Sequence, residues 1–132
     1  MSDKEVLFAY RFAQAEETLT DAKKMLKNNF SQRPVVNRTY YAIFYLLLAL
    51  FLKTDINIKT SKHAAVISIF DKEFVHKGMV DTCHSKTLHK IFEARQQADY
   101  KELVHISSAD VAEYVKLADD FFEAIKKLII KH

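Results

Sequence analysis

Two long segments, one near each end of the chain, repeat apolar residues in alternating steps of four and three. This spacing places the apolar side chains on one face of a helix and predicts helices over about residues 3–28 and 107–131. Ser107 and Asp110 match a capping-box start for the second of these helices, with Asp in place of Glu. We expect the two helices to pack side by side. The apolar positions are Phe8, Phe12, Ala15, Leu19, Ala22 and Leu26, then Val111, Val115, Ala118, Phe122, Ile125 and Ile129.

The stretch from Tyr40 to Leu52 contains no charged residue, and its only hydroxyl groups belong to tyrosines. It is too short for a membrane-spanning helix, which needs roughly 17–25 residues, and too rich in Leu and Ala for a single strand. It predicts a helix from about Pro34 to Lys53 that is apolar on nearly all sides, with Pro34 in its first turn. A four-helix bundle buries one stripe of each helix, so the surplus apolar surface predicts a homodimer through this helix, with or without the helix that follows.

Two further helical patterns lie between these segments. The first begins near His63, continues through Phe74 and ends before Gly78, the only glycine of the chain. The second passes through Leu88 to Arg95 and is predicted to stop near Gln97, with residues 99–101 in a loop. The prediction is therefore one all-α domain over residues 1–132, an up-and-down bundle of four or five helices.

Composition and charge narrow the functional classes. The chain has 49% hydrophobic and 28% charged residues, as ordinary soluble globular proteins do, and its net charge of +3 permits contact with nucleic acid without requiring it. The polar N-terminus does not resemble a signal peptide, so we expect a cytoplasmic protein without a membrane anchor. Cys83 has no partner for an internal disulfide. The histidines lack zinc-ligand spacing and there is no Gly-rich phosphate loop, so we expect neither a metal nor a cofactor.

Three polar side chains share helix faces with apolar residues, which aims them inward or toward grooves. Guanidinium groups match phosphate with two hydrogen bonds, and histidine exchanges protons near neutral pH. The structural alternative is the more common one: an arginine pairs with Asp99, and the histidine is a hydrogen-bonded core or cap residue. By spacing, Arg95 lies beside Leu88 and Phe92, His63 beside Ile67 and Phe70, and Arg38 beside Tyr41 and Tyr45.

Three segments, in this order, resemble the prokaryotic HEPN domain superfamily, in its branch of small stand-alone proteins. The first is Asn37–Phe44, which reads Asn-Arg-Thr-Tyr-Tyr-Ala-Ile-Phe. The second is Lys62–Phe70, where a Lys-His pair leads into an apolar helix, and the third is Arg95–Tyr100, which reads Arg-Gln-Gln-Ala-Asp-Tyr. The resemblance covers nearly the whole chain. It implies a helical bundle, usually dimeric, and frequent pairing with a minimal nucleotidyltransferase in toxin–antitoxin-like modules.

Nucleases of this superfamily carry an arginine followed after four to six residues by histidine, usually with asparagine directly after the arginine. Here Gln96 follows Arg95, Tyr100 stands at the fifth position, and the next histidine is His105. The sequence therefore departs from the nuclease motif at the histidine.

Three functional hypotheses stay open. The first is a nucleotidyltransferase-linked subunit that binds nucleotide or RNA through Asn37, Arg38, Tyr41, Asp99 and Tyr100. The second is a metal-independent ribonuclease with a degenerate motif, in which Arg95 offsets phosphate charge and His63 transfers protons. The third is a catalytically silent helical interaction module whose arginines only hold the bundle together.

Overall fold

A computed structural model describes residues 2–59, 62–100 and 106–132, without the side chain of Tyr100. Within these ranges the chain forms helices and no strand, which confirms the all-α prediction. The elements in chain order are α1 (Asp3–Lys27), α2 (Gln32–Lys53), α3 (His63–Phe70), a π-helical turn (Asp71–Val75), α4 (Thr82–Tyr100) and α5 (Ser108–Lys131).

Helices α1 and α5 begin at serine caps and lie against each other. The amide of Glu5 donates to the Ser2 hydroxyl, and the amide of Asp110 donates to the Ser107 hydroxyl, each at 3.1 Å. Each cap satisfies a backbone donor that the helix itself leaves unpaired. Two ion pairs join the helices, Lys23 with Asp119 and Glu16 with Lys126, and their order along the two helices makes the pair antiparallel. The predicted side-by-side packing is confirmed.

Helix α2 is the centre of the bundle, because α1, α3, α4 and α5 all pack against it. Less of its apolar surface is therefore left open within one chain than the sequence predicted, and the homodimer stays a prediction. Its length and composition would suffice to cross a membrane, but 67% of its most apolar window is buried in the bundle, as in the core helix of a soluble protein. The partly exposed apolar residues of α2 form one narrow stripe: Tyr41, Tyr45, Leu48 and Leu52.

Two predicted boundaries were wrong. Helix α2 begins at Gln32, before Pro34. Helix α4 continues past Gln97 to Tyr100, so Asp99 is helical instead of lying in a loop. The extension has a packing reason, since Ala98 is buried in a second apolar cluster formed with residues of α2 and α5.

The predicted third helix is confirmed through Phe74, but its last part is not α-helical. From Asp71 to Val75 it forms a π-helical turn, in which the amide of His76 donates to the carbonyl of Asp71 at 2.8 Å. Gly78 follows with φ = +74°, a left-handed conformation that glycine adopts without steric cost. Helix α4 then begins, and Cys83 is exposed in its first turn.

Candidate functional site

An aromatic floor joins α2 and α3. The fully buried Tyr40 ring meets Tyr41 edge to face at 5.4 Å between ring centroids. The His63 ring, from the first residue of α3, stacks on Phe44 at 4.2 Å and on Tyr40 at 5.4 Å. Phe92 of α4 closes the floor at 5.7 Å from Tyr40. Because Tyr40 and Phe44 are one helical turn apart, a single face of α2 supplies both surfaces on which the imidazole rests.

A hydrogen bond fixes the orientation of the histidine. Tyr40 Oη and His63 Nδ1 are 2.8 Å apart. Burial raises the pKa of the Tyr40 hydroxyl well above its ordinary value, so this group keeps its proton at neutral pH. Burial, and then the charge of Arg95, lower the pKa of His63, which favours a neutral imidazole. The contact fits either neutral tautomer: Tyr40 donates to Nδ1 when the ring proton lies on Nε2, and Nδ1 donates to Tyr40 Oη when the proton lies on Nδ1. Only the second tautomer leaves Nε2 free to accept a proton.

Arg95 of α4 lies over the same floor. Its guanidinium carbon is 5.1 Å from the Tyr40 ring centroid and 5.4 Å from that of Tyr41, within the range of cation–π attraction. Nη2 donates to Tyr41 Oη at 3.5 Å, and Nε is 3.6 Å from Asp99 Oδ2. The predicted pairing of Arg95 with Asp99 is therefore confirmed. We call Tyr40, Tyr41, His63, Arg95 and Asp99 the Arg95–His63 cluster.

The guanidinium of Arg95 is sheltered, but its hydrogen bonds are incomplete. The side chain is 17% exposed, and its buried Nε has no hydrogen-bond partner within the described residues. The 3.6 Å separation from Asp99 is an ion pair, but it is too long for a hydrogen bond. An arginine carries five N–H donors in a fixed fork. Within the described residues the guanidinium donates one hydrogen bond, from Nη2 to Tyr41, so other N–H donors of the fork are left unpaired.

Arg38 does not lie where the sequence predicted. We expected it to face inward or into a groove, in the company of Arg95 and Asp99; instead it is exposed, with no ion-pair partner among the described residues. It shares a helix face with Tyr41, as its spacing predicted, but that face is the one that the other helices leave open. Arg38 and the half-buried Asn37 thus stand at the rim of the cluster. The side chain of Tyr100 lies outside the described part of the chain.

Sequence reasoning missed the role of Tyr40. Nothing local in the sequence identifies its hydrogen-bond partner His63, which lies 23 residues away. The only available signal was that a buried tyrosine hydroxyl needs a hydrogen bond. Phe44 and Phe92 were likewise seen as core residues and not as walls of the site. Within the described ranges, no three His, Cys, Asp or Glu side chains group in a way that could hold a metal ion.

The arrangement combines groups that suit phosphate chemistry. A guanidinium held in a partly enclosed position can pair with a phosphate oxygen through two hydrogen bonds. A neutral imidazole beside it can accept a proton. Both groups lie against the same two tyrosine rings, Tyr40 and Tyr41.

Comparison with known proteins gives consistent matches along the chain. A family model of the HEPN domain matches residues 8–128. A UPF0332 protein of Thermotoga maritima is 40% identical over 129 residues, which cover 98% of this chain and 96% of the relative. A protein of Methanocaldococcus jannaschii that is named as a candidate toxin is 33% identical over 118 residues, covering 87% of this chain and 86% of the relative. A second candidate toxin from that organism is 29% identical over 116 residues, 88% of this chain and 77% of the relative.

Proposed function

Because the chain belongs to the HEPN domain family, we propose that it is a toxin-like protein that binds RNA, or a nucleotide, through phosphate contacts at the Arg95–His63 cluster. The observation that carries this proposal is the state of Arg95. Its side chain is 17% exposed, its guanidinium lies over two tyrosine rings, and within the described chain it donates one hydrogen bond, to Tyr41, while the buried Nε has no partner. A guanidinium that only held the bundle together would be expected to use more of its donors.

The rim of the cluster suits a polyanion. Arg38 is exposed one helical turn before Tyr41, on the open face of α2, and no carboxylate among the described residues neutralises it. A phosphate seated at Arg95 would have its neighbouring phosphate near this second cation. Exposed tyrosine edges next to arginines also suit stacking with unpaired bases. Single-stranded RNA is therefore the preferred ligand class of the proposal.

The binding test measures the affinity of a fluorescent single-stranded RNA by anisotropy at low and moderate salt. Arg95→Gln is expected to weaken binding at least about tenfold, because a charge-assisted hydrogen bond is worth about 1.5–3 kcal/mol. Arg95→Lys is expected to recover part of the loss, since lysine keeps the charge but not the fork. Arg11→Gln is the matched control: Arg11 is a half-buried arginine of α1 whose Nη1 donates to Gln14. Equal affinity of the parent and Arg95→Gln would refute the proposal.

Cleavage of the bound RNA is a second candidate function, and the state of His63 favours it. In the tautomer whose Nδ1 donates to Tyr40 Oη, Nε2 of the neutral imidazole can take the proton from a ribose 2′-hydroxyl. The 2′-oxygen then bonds to the adjacent phosphorus, and the bond from phosphorus to the 5′-oxygen breaks. The 5′-oxygen leaves with the proton returned by the imidazolium, while Arg95 offsets the charge on the phosphoryl oxygens. The parent and His63→Gln are compared on labelled RNA in the presence of a metal chelator. Cleavage by the parent alone would support this candidate. No cleavage by either protein would leave a binding protein, and equal cleavage by both would exclude His63 as the base.

The assembly remains part of the proposal. Resemblance of the three motif segments to small stand-alone HEPN proteins, and relatives named as candidate toxins, support a cytoplasmic two-component module with a minimal nucleotidyltransferase. The partly exposed apolar stripe of α2, which begins at Tyr41, supports a homodimer. In that dimer the second copy would border the Arg95–His63 cluster at Tyr41, next to Arg38. Co-expression with a nucleotidyltransferase encoded by a neighbouring gene, followed by mass measurement in solution, tests both partners. A monomer that does not co-purify with it would contradict this assembly.

A further inference from the structure

A polar contact joins α3 to α4 away from the Arg95–His63 cluster. Asp71, at the junction of α3 and the π-helical turn, accepts a hydrogen bond from the Ser85 hydroxyl at 2.7 Å through Oδ1. Its other oxygen, Oδ2, is 2.6 Å from His89 Nε2. The Asp71 side chain is 17% exposed, while His89 reaches to solvent. We call Asp71, Ser85 and His89 the α3–α4 clamp.

The clamp and the cluster occupy opposite ends of one helix pair. His63 and Asp71 are about 12 Å apart along α3 at 1.5 Å per residue. On α4 the clamp residues come first and Arg95 comes last, so α3 and α4 run antiparallel. Ser85 and His89 are one turn apart, and Phe92 and Arg95 continue along that side of α4. A sliding or turning of α3 at the Asp71 end therefore moves His63 relative to Arg95.

We propose that Asp71 is a positioning residue. Its hydrogen bonds to Ser85 and His89 fix the register of α3 on α4, and this register holds His63 in the Arg95–His63 cluster. The inference rests on the proposed function for its consequence in RNA binding. Its structural part stands on the geometry of the two helices alone.

Apolar packing alone defines the register of α3 on α4 less precisely than these hydrogen bonds do. Val66, Ile67 and Phe70 bury one side of α3, but the hydrophobic effect is not directional. Hydrogen bonds to both oxygens of one carboxylate are directional, so they define both the position of α3 along α4 and its rotation about its own axis. The π-helical turn begins at this carboxylate, and the buried Phe74 and Val75 follow within it. The irregular turn thus lets Asp71 face α4 while both apolar residues remain in the core.

The test compares Asp71→Ala and Asp71→Asn with Asp119→Asn, which removes a surface carboxylate that pairs with Lys23 at 2.7 Å on the other side of the bundle. The main measurement is an NMR titration of the His63 imidazole in the free protein. Asp71→Ala is expected to move the His63 resonances and to return its pKa toward the ordinary value of about 6.5. Asp71→Asn, which keeps an acceptor for Ser85, is expected to have a smaller effect, and Asp119→Asn none.

RNA affinity is the second measurement. Asp71→Ala is expected to weaken RNA binding roughly tenfold, less than the about hundredfold that a 1 Å misplacement can cost a reaction. If Asp71→Ala does not fold, Ser85→Ala and His89→Ala each remove one donor of the clamp and take its place. A loss of thermal stability with unchanged His63 resonances would overturn the inference. If the parent itself does not bind RNA, the proposed function fails, and the His63 titration still decides the role of Asp71.

Discussion

The antiparallel pairs α1–α5 and α3–α4 are built differently. Helices α1 and α5 are long, regular and capped by serines, and their ion pairs lie at the surface, with Lys23 and Asp119 each 47% exposed. The α3–α4 pair contains a π-helical turn, and the polar contacts between its two sides centre on Asp71, a side chain that is 17% exposed. Sheltered polar contacts cost more to break than exposed ones. We infer that the regular packing of α1 and α5 mainly stabilises the fold, while the irregular α3–α4 pair positions the side chains of the Arg95–His63 cluster.

The largest expected effect is on stability and belongs to α5. Phe122 is 1% exposed in the main core, so Phe122→Ala is expected to lower the free energy of unfolding by about 3–5 kcal/mol. Chemical denaturation measures this loss. The control is Phe30→Ala, since Phe30 is 55% exposed and its removal should cost less than about 1 kcal/mol. If folded Phe122→Ala also showed displaced His63 resonances, the α1–α5 pair would affect the position of His63 as well as stability. The proposed division between the two helix pairs would then be wrong.

An intermediate effect concerns pH and belongs to α3. The pKa of His63 is lowered in the folded protein, so well above about pH 6.5 the residue is neutral in both states and does not make the free energy of unfolding depend on pH. As the pH falls below that value, the unfolded chain takes up the proton first, and the folded state loses stability until the pH passes the folded pKa. Denaturation curves of His63→Gln should therefore depend less on pH in this window than those of the parent.

The matched control for that titration is His76→Gln, which changes an exposed histidine just after the π-helical turn. It is expected to follow the parent across the same pH range. The comparison uses the slopes with pH and not the absolute stabilities, because His63→Gln also removes the hydrogen bond to Tyr40. A parent and His63→Gln with parallel slopes would show that the histidine is not held neutral by its surroundings.

The smallest effect should come from the surface of the α1–α5 pair. Asp119→Asn removes an exposed ion pair with Lys23 and is expected to cost between zero and about 1 kcal/mol. A double-mutant cycle with Lys23→Met, repeated at high salt, measures the coupling and its screening. A coupling well above 1 kcal/mol would mean that this pair, too, depends on specific polar contacts.

Periodicity predicted the long helices because one physical rule determines them. The four-three steps of α1 and α5 place each apolar residue against the core, and the boundaries at Ser2 and Ser107 follow from caps that act locally. The Arg95–Asp99 pair was predicted only in part: Asp99 was expected to pair with an arginine, but residues 99–101 were predicted as a loop, and the two side chains meet on one helix face because α4 continues to Tyr100.

The rest depends on tertiary contacts that no local pattern contains. The Tyr40–His63 bond joins residues 23 apart, and the π-helical turn exists where Asp71 reaches α4. Arg38 was assigned to the correct side of α2, but which side of α2 is covered depends on how α1, α4 and α5 pack around it. The sequence therefore predicted which residues share a helix face, but not which faces pack against each other.

The exposed Cys83 offers a direct way to observe these helices. It is the only cysteine of the chain and lies in the first turn of α4, two residues before Ser85 of the clamp. A fluorophore or spin label attached there would have no competing thiol. With a second label introduced on α1, it would report distances between α4 and the regular part of the bundle as RNA is added. The natural sequence thus already contains an attachment point for spectroscopy beside the contact that most needs to be followed.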